Sequence, residues 1–186
     1  MTTTQPKIAV TVRDSQDADL PGIQAIYAHH VLHGLALFEE VPPSLDEMAD
    51  RRRRVLAREL PYVVAEADGA VLGYAYANHY RPRSAYRFTL EDSVYIANDA
   101  VGHGVGRQLL DHILQRSTAL GYRQMIAIIG DSGHKASIGL HEQAGFQRIG
   151  IFPSVGFKFG RWVDSVLMQR SLGPGDAAAP VEMRRP

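Results

Sequence analysis

The sequence predicts a single α/β domain, a mixed sheet with helices covering it, and three features carry that prediction. Strand-like and helix-like patterns alternate in the order β-α-α-β-β-β-α-β-α-β-β between residues 8 and 169. An Asp68-Gly69 pair between two apolar runs signals a tight hairpin, since both residues tolerate positive φ, and a purely parallel sheet has no place for it. The uninterrupted apolar run at 125–129 follows an amphipathic helical pattern and is short enough for a buried strand. At 186 residues, 45% hydrophobic and 22% charged, the chain is long enough for one sizeable core.

Residues 8–13 alternate apolar and polar side chains as a short strand does, and Asp17 or Asp19 is placed to cap the helical spacing of Leu20, Ile23, Ile26 and Tyr27. Ser44 or Asp46 opens a second helix, whose Arg51, Arg52, Arg53 and Arg54 occupy every side of a turn, the pattern of a solvated helix, and Pro61 stops it. Residues 62–66 and 71–78 flank the hairpin turn. A strand at 90–96 leads through a glycine-rich loop into a helix at 105–120, with Leu109, Leu110, Ile113 and Leu114 inward and Gly121 at its end. After the 125–129 strand, a helix at 135–143 ends near Gly145, which suits a left-handed C-cap position. Residues 146–152 and 162–169 supply the last strands. The folded domain is expected at 7–172, with a flexible N-terminus at 1–6 and a disordered tail at 173–186, where Gly, Pro and Ala leave almost nothing to bury.

Composition narrows the function. Twenty Lys and Arg balance twenty Asp and Glu, so no general field exists to hold a nucleic-acid backbone or an anionic membrane, and neither partner is expected. The absence of cysteine removes disulfides, thiolate metal sites and Cys nucleophiles. With no long apolar segment after the N-terminus or later in the chain, the expectation is a soluble cytoplasmic protein.

The most informative segment is Y-I-A-N-D-A-V-G-H-G-V-G-R-Q-L-L, in which a strand runs through Gly102, Gly104 and Gly106 into a helix. Glycines let the backbone approach a ligand, and a helix start offers unpaired N–H groups, together a site for phosphate or pyrophosphate. A tight, glycine-capped turn is the alternative. A dinucleotide fold is disfavoured, because G-x-G-x-G is not G-x-G-x-x-G and the loop follows a hairpin region instead of opening the first βαβ unit.

These residues resemble the GCN5-related N-acetyltransferases, whose pyrophosphate loop reads Arg/Gln-x-x-Gly-x-Gly/Ala; Val101-Gly102-His103-Gly104-Val105-Gly106 matches it, with Val101 in place of the usual polar residue. The helix ending in His141-Glu142-Gln143-Ala144-Gly145-Phe146 is similar to a second family motif. Over 8–170 the chain resembles the phosphinothricin and methionine sulfoximine acetyltransferase branch, through I-Y-A-H-H-V, F-E-E-V-P-P-S, R-P-R-S-A-Y-R-F-T-L-E-D-S-V-Y-I and P-S-V-G-F-K-F-G-R-W-V-D. That resemblance implies a mostly antiparallel sheet splayed between its fourth and fifth strands, acetyl-CoA as co-substrate, and a homodimer. It implies cofactor contacts from Val94, Tyr95 and Ile96, from Gly102, His103, Gly104, Val105, Gly106 and Arg107, and from His134, where the branch has Asn. It places Phe38, Glu39, Arg81, Ser84, Ala85 and Tyr86 at the acceptor pocket, with Lys158 to Trp162 near the dimer contact. Gly139 stands where the branch carries Arg, which weakens that helix by up to about 1 kcal/mol.

Acetyl transfer from a thioester needs a neutral amine and therefore a base. Glu91 matches the branch's base, and alternation puts Glu91, Ser93 and Tyr95 on one strand face. An ordinary carboxylate, with pKa about 4.3, is poorly matched to an ammonium near 9–10, so burial or an intervening water is required. His141 takes the place of a Tyr that protonates the departing thiolate in relatives, and a helix histidine also serves as a packing residue. No metal is expected, on the reading that the histidines outside position 141 form no H-x-x-x-H or H-E-x-x-H pattern and that His29 and His30 point to different sides of a helix. The rival readings are an acetyltransferase of protein N-termini or polyamines, and a non-catalytic acyl-CoA-binding sensor.

Overall fold

The computed structural model describes residues 9–180. Asp68 and Gly69 adopt φ of 50° and 77°, and the turn they make joins β2 (Tyr62–Ala67) to β3 (Ala70–His79). From this hairpin the sheet grows both ways. On one side β1 (Thr11–Asp14) pairs antiparallel with β2; on the other β4 (Thr89–Ile96) pairs antiparallel with β3. β5 (Gln124–Gly130) runs parallel to β4, and the closing hairpin of β6 (Gln147–Lys158) and β7 (Arg161–Ser171) joins it through β7. The order across the seven strands is β1-β2-β3-β4-β5-β7-β6.

The parallel ladder is short. Only Thr89, Leu90 and Glu91 pair with Gln124, Met125 and Ile126. Beyond Glu91, β4 continues to Ile96 against β3, while β5 continues to Gly130 against β7. The expected mixed, mostly antiparallel sheet splayed between strands four and five is therefore the fold observed.

Four helices cover the two faces. The small residues Gly73, Ala75 and Ala77 along β3 let α3 (Val105–Ala119) come close, and a Cβ at Gly73 would lie 3.1 Å from Leu109. Leu109, Leu110 and Ile113 are fully buried there, as their spacing predicts. α1 (Leu20–His33) and α2 (Leu45–Leu56) cover the opposite face, where Tyr62, Tyr74 and Tyr76 alternate with the small residues. α4 (Lys135–Gln143) packs on the α3 side, and Gly145 takes φ of 85° after it.

Several expectations need correction. Ser44 caps α2 by accepting from Glu47 N at 3.2 Å, but Asp19 makes no side-chain cap on α1: its carboxylate accepts both ends of the Arg13 fork, each at 2.8 Å. The arginine run is not uniformly solvated, because Arg52 is buried, donating to Ser15 and Asp17. β6 runs on through Pro153 to Lys158, past the expected end at 152, since an edge strand tolerates a proline. Of the expected disordered tail, residues 173–180 turn back, with Arg123 donating to Gly175 O and Ala179 O at 3.4 and 3.3 Å. Residues 1–6 and 181–186 lie outside the described residues. Among the described residues no helix is long and apolar enough to cross a membrane.

Candidate active site

Alternation along β4 sends its side chains to two environments. Leu90 and Asp92 point toward α3 and α4; Glu91, Ser93 and Tyr95 point toward α1 and α2, beside their β3 partners Asn78, Tyr76 and Tyr74. Tyr27 of α1 meets Tyr95 edge-on with ring centres 5.3 Å apart. The result is a tyrosine-walled recess at the point where β4 and β5 part.

Glu91 stands at that point. Among the described residues its carboxylate makes no hydrogen bond and no ion pair. Burial, with the adjacent negative charge of Asp92 adding to it, pushes its pKa from 4.5 up to about 7. A carboxylate so tuned is far better matched to proton abstraction near neutral pH than an exposed one.

Asp92, one residue on, is engaged. Its Oδ2 lies 2.9 Å from His141 Nε2, and His141 Nδ1 lies 2.7 Å from the Ser137 carbonyl oxygen. A carbonyl only accepts, so Nδ1 donates there, and Nε2–H donates to the carboxylate. Burial pulls the His141 pKa down, but the Asp92 hydrogen bond and charge and the Ser137 carbonyl outweigh it, leaving the pKa above its ordinary 6.5. His141 is 4% exposed and has no free ring nitrogen. In this geometry His141 is a buried ionic partner of Asp92 that ties α4 to β4.

The glycine loop leaves β4 through a short turn. Gly102 and Gly104 hold φ of 87° and 78°, and a Cβ at either would meet nothing within 4 Å. Both are required by backbone conformation and both face open space. Gly106 has a different reason: a Cβ there would press on Leu140 at 3.2 Å, so its role is close packing of α3 on α4. Gly104 is the N-cap of α3 and supplies no side-chain cap, so the N–H groups of the first turn, from Val105, Gly106 and Arg107, remain available to an anion. His103 is half-buried in the loop. The Arg107 guanidinium donates to Asp111 at 2.6 Å and to Gln143 O at 3.0 Å through Nε and Nη1, which ties it to α3 and the end of α4. His134 caps α4, its Nδ1 accepting from Ser137 N at 3.3 Å.

Val94, Tyr95 and Ile96 form the stretch of β4 that has left β5, so no strand pairs with it on that side. His30 of α1 steadies the end of this stretch, its Nε2 donating to Ile96 O at 2.9 Å. The reading that no His-x-x-x-His pair occurs is corrected: His29 and His33 sit one turn apart in α1. Their rings approach to 4.8 Å, and no cluster of three metal-ligating residues occurs among the described residues.

Of the residues that the resemblance places at the acceptor pocket, Ser84, Ala85 and Tyr86 form a single helical turn just before β4. Arg81 stacks over Tyr80 and Tyr86, 5.0 and 5.9 Å from the ring centres. Phe38 is exposed and rests against Gly156, where a Cβ would stand 2.8 Å from its ring. Glu39 is not free to bind a substrate: Tyr27 Oη and Arg51 donate to it at 2.7 and 2.8 Å. Burial raises its pKa, but the Arg51 and Tyr27 hydrogen bonds and nearby cations outweigh that and hold it below the usual 4.5. The structure adds residues that the sequence did not place at the site, Asp92, Tyr27, Arg51, Tyr74 and Tyr76, and it shows Lys158, expected near the dimer contact, as a buried ammonium donating to Leu37 O at 2.8 Å. The alternation Tyr74-Ala75-Tyr76 was the available signal for the tyrosine wall.

A sheet parted beside a carboxylate, with a glycine loop opening a helix across the gap, is the architecture of the GNAT acetyltransferases, and the chain belongs to that family. The family model described as an acetyltransferase (GNAT) domain matches residues 12–167. The chain is 62% identical over 174 residues to a phosphinothricin N-acetyltransferase of Alcaligenes faecalis, covering 94% of this chain and 88% of that one. It is 43% identical to an L-methionine sulfoximine/L-methionine sulfone acetyltransferase of Pseudomonas aeruginosa, covering 92% and 99%. Among solved structures it is similar to a GNAT superfamily phosphinothricin acetyltransferase from Sinorhizobium meliloti in complex with acetyl-CoA, at a TM-score of 0.91 and 49% identity over 94% and 95% of the two chains.

Proposed function

We propose that this acetyltransferase uses acetyl-CoA to acetylate the α-amine of a small amino-acid analogue, namely phosphinothricin, methionine sulfoximine or methionine sulfone, with Glu91 as general base. The observation that carries the reading is the unpaired Glu91 carboxyl, raised to about 7, at the mouth of the parted sheet. The names of the relatives supply the acceptor class, and the Sinorhizobium structure with acetyl-CoA supplies the acyl donor.

The residues present fit that donor. The open Gly102–Gly104 segment and the uncapped start of α3 suit a pyrophosphate, and the strand edge from Val94 to Ile96, apart from the Ile96 O held by His30, suits an amide-containing arm. When bound, acetyl-CoA supplies the acetyl thioester. Glu91 accepts the proton of the acceptor's ammonium, directly or through a water, so that a neutral amine faces the gap. The tyrosine wall restricts water around it, and Arg81, Ser84, Ala85, Tyr86 and Phe38 border the acceptor side. A thiol-release assay over the three acceptors tests the reading, with Glu91→Gln as control. Release with any of them, abolished by the substitution, supports it; release only with peptides bearing free N-termini overturns the acceptor class.

The second part of the proposal is a homodimer formed through the β6–β7 hairpin. β6 is an edge strand, and Ile149, Ile151, Phe152, Val155, Phe157 and Trp162 are all exposed on this hairpin. An edge so apolar is expected to be covered. Light scattering on the intact protein and on Phe157→Asp reads it: a dimer that becomes a monomer is the expected result.

A further inference from the structure

Most arginines of α2 are spoken for. Arg51 pairs with Glu39 and Glu47, Arg52 with Asp17, and Arg53 with Asp50. Arg54 and Arg58 have no carboxylate partner among the described residues: Arg54 donates to the Asp50 carbonyl and Arg58 to Asn78. Both line a cavity of about 270 Å³ between α2 and the tyrosine face of the sheet. Its floor is a stack of Tyr62, Tyr74 and Tyr76, with the Tyr62 ring 5.8 and 5.0 Å from the other two. Tyr74 is fully buried in this wall, and its Oη has no hydrogen-bond partner among the described residues. A buried hydroxyl left unpaired is destabilising, and cations at a cavity rim with no carboxylate are a standing attraction for an oxyanion.

Asn78 links the cavity to the base. Asn78, whose Oδ1 accepts from Arg58 at 2.6 Å, is the cross-strand partner of Glu91. Such partners hold their Cβ atoms about 4.5–5.5 Å apart, so Arg58 stands roughly one side chain from Glu91. In an α-amino acid the amine and the carboxylate share one carbon, and a molecule presenting its amine to Glu91 has its carboxylate within reach of Arg58.

We propose that this cavity is the acid pocket of the acceptor site: the Arg58 guanidinium, with Arg54 at the rim and Tyr74 in the wall, receives the α-carboxylate of the acceptor. The assignment rests on the acetyl-transfer reading above and separates recognition of the carboxylate from the Arg81–Tyr86 segment. Arginine suits the role because its planar fork matches a carboxylate with two parallel hydrogen bonds.

The test compares methionine sulfone with its carboxamide, which keeps the amine and the sulfone but has no charge at the acid end. The native enzyme is expected to prefer the acid by about tenfold or more in kcat/KM, the size of one charge-assisted contact. Arg58→Gln is expected to remove most of that preference through a higher KM for the acid, with little change on the amide. Arg58 is exposed, so the core is undisturbed by its replacement. Tyr74→Phe should reduce the preference more modestly. Equal losses on acid and amide, or an undiminished preference in Arg58→Gln, overturn the proposal. Acceleration of amide turnover by millimolar acetate that vanishes in Arg58→Gln, the free carboxylate filling the empty pocket, supports it. Titration calorimetry of the acid against the coenzyme A-bound protein separates this proposal from the one it rests on. Weaker binding to Arg58→Gln together with no thiol release from any acceptor sinks the acetyl-transfer reading and keeps the pocket, whereas thiol release with unaltered binding sinks the pocket alone.

Discussion

The two faces of β4 hold carboxylates one residue apart, and their surroundings give them opposite fates. On the face toward α1 and α2, Glu91 stands among tyrosines with no ion pair among the described residues, and burial raises its pKa to about 7. On the face toward α3 and α4, Asp92 is buried against His141 at 2.9 Å. A buried charge with a partner is a structural tie; one without a partner titrates near neutrality and can carry a proton. The strand's period of two sorts the residues, and the helices packed on each face decide what each carboxylate does.

The largest effect expected from breaking this contrast is in turnover. Glu91→Gln should lower kcat by about 10²–10⁴-fold, the usual contribution of a general base, while the melting shift given by acetyl-CoA persists. In the native enzyme kcat/KM should rise with pH through about 7 as Glu91 deprotonates, and that limb should be absent in the variant. The sign for stability is the reverse. Because the folded pKa lies above the ordinary 4.5, the folded state holds this proton more tightly, and stability should fall as pH rises from about 4.5 to 7. Glu91→Gln should flatten that decline in denaturant melts.

On the other face, Asp92→Asn should cost about 3–5 kcal/mol of stability, because it strands a buried imidazole, yet reduce kcat by far less than Glu91→Gln. The raised His141 pKa implies that its pair contributes fully below the ordinary 6.5 and is lost as pH rises through the raised value. Melting curves at pH 6 and 9 should converge in the variant relative to the native protein. If Asp92→Asn instead folded well and lost turnover as Glu91→Gln does, the division of labour between the faces would be wrong.

Smaller effects test the loop and α4. Gly104→Ala should destabilise by about 1–2 kcal/mol for backbone conformation alone, since no atom stands in the way of its methyl group, and should weaken acetyl-CoA binding measured by calorimetry. Gly139→Ala should stabilise by up to about 1 kcal/mol, because Gly139 lies inside α4 with nothing within 4 Å of an added Cβ. A loss of stability there would mean that α4 needs the flexibility of glycine.

Much of this was legible in the sequence because it is local. Period-two alternation located β4 and put Glu91, Ser93 and Tyr95 together, turn chemistry found Asp68-Gly69, and helical spacing found α3. What escaped depends on partners distant along the chain. Asp92 and His141 are 49 residues apart, and only the packing of α4 on the sheet brings them together. Arg52 reads as one of four surface arginines until β1 ends beside it and Ser15 takes up its guanidinium. Pro153 looks like a strand terminus because the sequence does not reveal that β6 lies at an edge, where a missing N–H costs nothing.

The segment carrying Phe38 and Glu39 is gripped on three sides. A Cβ on Gly130 would collide with the carbonyls of Leu35 and Ala36 at 2.6 and 2.7 Å, one on Gly156 would strike the Phe38 ring, and Lys158 holds Leu37 O. This stretch of backbone is thus a fixed rail running from α1 past the recess to the closing hairpin, and strain in the hairpin is passed to it through Gly156 and Lys158. On the proposed acceptor site, exchanging the exposed Phe38 is expected to retune acceptor preference, whereas bulk added at Gly130 or Gly156 is expected to shift the rail itself.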